Sequence, residues 1–142
     1  MISFSALTNL EIQQIREDPD NQDWYSICYR PDLSEDFMRE FLDRFNLDCL
    51  ISYQNLPESF LISIKDKLTG HQWYRIGSFS DNLSEDFIRE FQDKLDWYSI
   101  AANQKTLSKE FIVEFIDYIP INALMLNFYL SDEIKEFCRM FL

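Results

Sequence analysis

Nine carboxylates recur at matched positions along the chain, and they are the residues whose type and spacing could do chemistry. Asp36, Glu40 and Asp43 are spaced i, i+4, i+7; Asp86, Glu90 and Asp93 repeat that spacing, and Glu110, Glu114 and Asp117 repeat it again. Carboxylates act as a general acid and base only when one of them is desolvated enough to shift its pKa. These acids instead fall on the side of a helix opposite a run of phenylalanines, so the expectation is a solvated negative ridge that either keeps a hydrophobic repeat protein soluble or meets a basic partner. The copy at Leu56 interrupts it, with Ser59 and Ser63 ahead of Asp66. Local i,i+4 pairs are expected to neutralise part of the charge: Glu35 with Arg39, Glu40 with Arg44, Glu85 with Arg89 and Glu90 with Lys94.

The remaining chemistry-bearing residues are sparse. His71 is the single histidine, and the three cysteines, Cys28, Cys49 and Cys138, contain no CxxC pair, so neither a structural zinc site nor a cysteine nucleophile with an oriented base is expected. Each cysteine has apolar neighbours and reads as a buried free thiol in a reducing compartment, and His71 reads as a loop residue beside Gly70. The aromatic pairs Trp24-Tyr25, Trp73-Tyr74 and Trp97-Tyr98 resemble base stackers, but those normally line a basic groove. Core packing, with the tyrosine hydroxyl at a polar edge, is the preferred use. The edge around Trp73 and Tyr74 is the second candidate interface, should the acids serve only solubility.

The composition sets the frame for these residues. In 142 residues there are 25 Asp+Glu against 13 Lys+Arg, a net charge of -12, which argues against direct nucleic-acid binding. Aromatic residues make up 16%, enough for a core, and with 2 Gly and 4 Pro the chain is poor in the turns of hairpin-rich β folds and in glycine-rich phosphate loops. The N-terminus lacks a basic leader and nowhere do 18 apolar residues run together, so a cytoplasmic protein without a membrane span is expected, with no cofactor.

An internal repeat positions the acids. LSEDFMREFLDRF at Leu33 and LSEDFIREFQDKL at Leu83 are near-copies, and weaker copies begin at Leu56, Leu107 and Leu130, a period of about two dozen residues. Ser34, Ser84, Ser108 and Ser131 are helix-capping residues followed by acids in the first turn, with Pro57 in the serine's place. Behind each cap the apolar positions follow the helical period: Phe37, Met38, Phe41, Leu42 and Phe45 in the first copy. Each unit closes on a second short segment, such as Trp97-Tyr-Ser-Ile. The expected architecture is all-α, one domain over 1–142, a solenoid-like stack of short helical hairpins. A cap fills 1–32, opened by a capping box at Thr8 and Glu11; repeats start at 33, 56, 83 and 107; and a capping helix spans 130–142. The long step from Leu56 to Leu83 holds both glycines, and an irregular connection or kink is expected there.

By LSEDFIREF followed by DWYSI, the chain resembles the short helical-repeat proteins that large DNA viruses, notably those infecting amoebae, encode in multiple copies, over roughly Trp24 to Tyr118. The resemblance implies a viral or phage origin and a stacked helical architecture, and carries over no catalytic residues. Class-level similarity to small acidic phage-encoded defence inhibitors implies a sharper version. A non-catalytic protein-binding module would present its acidic face to a basic host effector, such as a CRISPR nuclease, in the host cytoplasm. The alternatives are a structural protein that self-associates, as a homodimer or larger, through its apolar C-terminal end, and an enzyme of unrecognised type.

Overall fold

The computed structural model describes residues 5–80 and 82–142, and all regular structure in them is helical. The chain packs as two compact units, Met1–Lys65 and Asp66–Leu142. The division falls in the repeat that starts at Leu56, inside the long step.

The first unit holds α1 (Asn9–Glu17), α2 (Trp24–Cys28), α3 (Glu35–Glu40), α4 (Leu47–Tyr53) and α5 (Glu58–Ser63). The expected capping box closes on α1: Thr8 accepts from the Glu11 amide at 3.1 Å, and the Glu11 carboxylate accepts from the Thr8 amide at 3.2 Å. The second unit holds α6 (Gly70–Phe79), α7 (Glu85–Glu90), α8 (Trp97–Asn103), α9 (Lys109–Glu114), α10 (Ile121–Leu126) and α11 (Asp132–Arg139). Ser34, Ser84, Ser108 and Ser131 each accept from the backbone amide three residues on, at 3.1–3.2 Å, as the cap pattern predicts.

Two expectations need correction. The first-half helices stop after six residues, at Glu40, Glu90 and Glu114, rather than running on to Phe45 and its equivalents. Asn46 and Asp96 are themselves N-caps, accepting from the amides of Cys49 and Ser99, so the chain must be extended again only twelve residues after the previous cap. A tight turn absorbs the intervening residues, a 3-10 turn at Leu42–Arg44 in the first of these units. The glycine-bearing step is no loose connection either. It forms α6, whose own capping box joins Thr69 and Gln72, and it carries His71 in its first turn rather than in a loop. Gly77 is buried there, and a Cβ built on it would lie 3.5 Å from the Ser99 Cβ, so α6 and α8 approach closely.

One aromatic arrangement builds the core three times. Trp24 packs on Phe37 and Phe41, Trp73 on Phe87 and Phe91, and Trp97 on Phe111 and Phe115. In each case the nearer centroid is 4.9–5.0 Å from the indole and the farther 6.3–6.5 Å, with ring planes tilted 32–40°. The tryptophan of one repeat thus covers the phenylalanine pair of the next, and Met38, Ile88 and Ile112 beside those pairs, with Leu61 at the matching place of the repeat at Leu56, are fully buried. No helix is long and apolar enough to cross a membrane.

Candidate functional site

All nine ridge carboxylates are exposed: Asp36, Glu40, Asp43, Asp86, Glu90, Asp93, Glu110, Glu114 and Asp117. The shortened helices divide them. Asp36 and Glu40 share α3, Asp86 and Glu90 share α7, and Glu110 and Glu114 share α9, while Asp43, Asp93 and Asp117 lie beyond the helix ends on the turns.

Several ion pairs on this surface run between repeats. Arg16 binds Glu40 at 2.9 Å and Arg44 binds Asp20 at 2.5 Å in the first unit; Arg89 binds Glu114 at 3.0 Å and Lys109 binds Glu133 at 2.6 Å in the second. Each partner is 24 or 25 residues away. Arg39 likewise donates to Ser63 at 2.8 Å, and the cations of Arg39 and Arg89 stand over the rings of Phe60 and Phe111 in the following repeat. Of the expected i,i+4 pairs, Glu35 with Arg39 is present. Glu40 is bound to Arg16 and Arg44 to Asp20, because Arg44 lies past the end of α3, where i+4 no longer faces Glu40. Glu85 accepts instead from the Ser108 amide and hydroxyl, both at 2.9 Å, and Arg89 pairs with Asp86 and Glu114. Glu40 and Glu133 are held below the ordinary carboxylate range by Arg16 and Lys109 respectively.

The remaining ridge acids, Asp36 and Asp43 in the first unit and Glu90, Asp93, Glu110 and Asp117 in the second, have no ion-pair partner among the described residues. The second unit therefore presents four such carboxylates on two successive repeats.

The second candidate interface needs a correction. Trp73 is only 3% exposed, because its face of α6 meets α7, so it belongs to the core and forms no surface edge. Tyr74, the next residue round the helix, is 51% exposed. His71 is exposed and accepts from the Arg75 Nε at 3.0 Å. Cys28, Cys49 and Cys138 are free and buried, and burial raises the thiol pKa of Cys28 and Cys138. Among the described residues no cluster of three or more His, Cys, Asp or Glu side chains could hold a metal ion.

Two features escaped the sequence reading. Gln54, Gln104 and Asn127, the residues that end α4, α8 and α10, reach back to the preceding repeat. Gln54 Nε2 donates to the carbonyls of Cys28 and Arg30 at 2.8 Å; Gln104 Nε2 donates to Ser80 at 2.6 Å; Asn127 Nδ2 donates to Ala101 and Gln104 at 2.8 Å. The second feature is a row of tyrosines. Tyr25, Tyr29 and Tyr53 stand with ring centroids 5.0 and 4.1 Å apart and hydroxyl oxygens 2.6 and 3.1 Å apart. Their 4- and 24-residue spacing is visible in the sequence once the repeat is known.

The chain matches no family model, no curated protein and no solved structure.

Proposed function

We propose that this protein is a non-catalytic protein-binding module of stacked helical units whose acidic surface docks on a basic partner. The observation that carries it is the division of the acids. Glu40 and Glu114 tie neighbouring repeats together and Asp86 holds Arg89 within its own helix, while Glu90, Asp93, Glu110 and Asp117 stand exposed on two neighbouring repeats with no ion-pair partner among the described residues. Both units are acidic, with 12 acids against 5 bases in Met1–Lys65 and 13 against 8 in Asp66–Leu142. Carboxylates displayed at repeated intervals favour a surface that otherwise receives phosphates, so a nucleic-acid-binding effector is the partner class and inhibition by occupancy the mode of action.

The test uses Glu90, Asp93, Glu110 and Asp117 together changed to Lys. Asp86 and Glu114 are left intact because they hold Arg89, so the fold is expected to keep its stability to within about 1 kcal/mol per site. Partners captured from lysate by the parent chain at low salt should elute as salt rises, compete with nucleic acid, and fail to bind the variant. Capture that survives both salt and the four changes sinks the proposal.

A further inference from the structure

We propose that a groove in the first unit is a binding site for an arginine side chain of a protein partner. A cavity of about 420 Å³ opens there, lined by Pro31, Asp32, Leu33, Tyr53, Gln54 and Asn55. A guanidinium is recognised by three things together: a flat aromatic face, a carboxylate, and a neutral hydrogen-bonding group for the N–H bonds that remain. The groove contains all three.

The aromatic face is Tyr53, 53% exposed and held in place by its neighbour, since Tyr29 donates to the Tyr53 hydroxyl at 3.1 Å and their rings stand 4.1 Å apart. With the single Tyr29 hydroxyl proton given to Tyr53, Tyr25 is the donor in the 2.6 Å contact behind it, and the row is ordered before any ligand arrives. Those hydroxyl contacts also raise the Tyr29 pKa. The carboxylate is Asp32, exposed, with a left-handed backbone (φ 58°) that an aspartate adopts more readily than most residues. Asp32 and Asn55 have no hydrogen-bond or ion-pair partner among the described residues. The nearby cation, Arg30, does not neutralise Asp32, because its guanidinium is bound to Glu11 and to the carbonyls of Ser5 and Ala6. Gln54, by contrast, is engaged with the backbone of Cys28, Arg30 and Leu33 and serves as a fixed wall.

The site rests on the proposal that the partner is a basic protein and names the side chain it would insert. The two fail separately, because the groove lies in the first unit and the four-lysine variant changes the second. The probe is N-acetyl-arginine amide, titrated into the full chain and followed through the backbone amide resonances of Asp32, Leu33, Gln54 and Asn55. The citrulline and lysine analogues run beside it. Expected are saturable shifts with arginine, none with citrulline, which keeps the shape and lacks the charge, and weaker binding of lysine, which cannot stack as a plane. Asp32→Asn should weaken arginine binding roughly tenfold while preserving the backbone, since asparagine also adopts a left-handed conformation. Tyr53→Leu should weaken it severalfold, and the four-lysine variant should bind arginine as the parent does. Shifts equal for citrulline and arginine, lysine binding as tightly as arginine, affinity unchanged in Asp32→Asn, or no shifts at all would each overturn the assignment.

Discussion

Single side chains hold the first unit's N-terminal end. The Arg30 guanidinium, with the Thr8 amide, lowers the Glu11 carboxyl to about 2, while burial opposes them weakly. A carboxylate whose pKa is depressed on folding adds stability that is complete above its unfolded value, here 4.5, and is lost as pH falls through the folded value. The stability advantage of the parent chain over Glu11→Gln should therefore be constant near neutrality and shrink between pH 4.5 and about 2, read from unfolding midpoints taken at successive pH values. A gap that does not change across that window would deny the Glu11–Arg30 pair its role. Gln104 makes the complementary case for a neutral group. It is 1% exposed, accepts from the Leu83 amide at 2.9 Å and donates to the Ser80 carbonyl, so Gln104→Leu strands two backbone groups. The expected cost is about 2–3 kcal/mol in chemical denaturation, although leucine is the more apolar residue.

The repeated element is a six-residue helix, too short to be stable alone, and tertiary packing maintains it. Its stabilisation comes from the phenylalanine pair capped by the preceding tryptophan. Phe91 is 4% exposed and 4.9 Å from the Trp73 ring, so Phe91→Ala should cost about 3–5 kcal/mol, measured by thermal or urea unfolding. An unchanged melting temperature would show that the aromatic triad is not what joins the repeats. The same short helix explains the surface. With only six residues in α3, Arg44 lies past its end and binds Asp20 of the preceding segment, while on α7 Glu85 is taken by Ser108 and Arg89 reaches Glu114 of the next repeat.

At the scale of the whole molecule, α11 departs from the other copies of the repeat: where those bury Met38, Leu61, Ile88 and Ile112, it carries the half-buried Lys135. Met140, Phe141 and Leu142 are exposed beyond it, at 74%, 42% and 80%. Changing Phe141 and Leu142 to Ser should alter the unfolding free energy by no more than about 0.5 kcal/mol, and light scattering should give the same mass for both chains. A fall in either quantity would place an apolar interface at this end and support the self-association reading.

Local features were legible in the residues alone because the interactions behind them span only a few positions. Ser34, Ser84, Ser108 and Ser131 cap helices through an amide three residues away, and Phe87 and Phe91 share a face through the helical period, so the all-α class and the repeat boundaries followed directly. The exposure of all nine ridge acids followed as well. What tertiary structure alone decided were the partners 21 to 26 residues apart: Glu40 with Arg16, Glu114 with Arg89, Gln54 with Cys28, Tyr29 with Tyr53. The sequence leaves Arg44 free to choose Glu40 or Asp20, and only the early end of α3 removes the first. Trp73 was ambiguous for the same reason: an indole beside a tyrosine suits a surface or a core, and the approach of α7 puts it in the core. The period of the repeat brings residues two dozen apart into neighbouring helices, but which side chains then meet depends on where each helix stops.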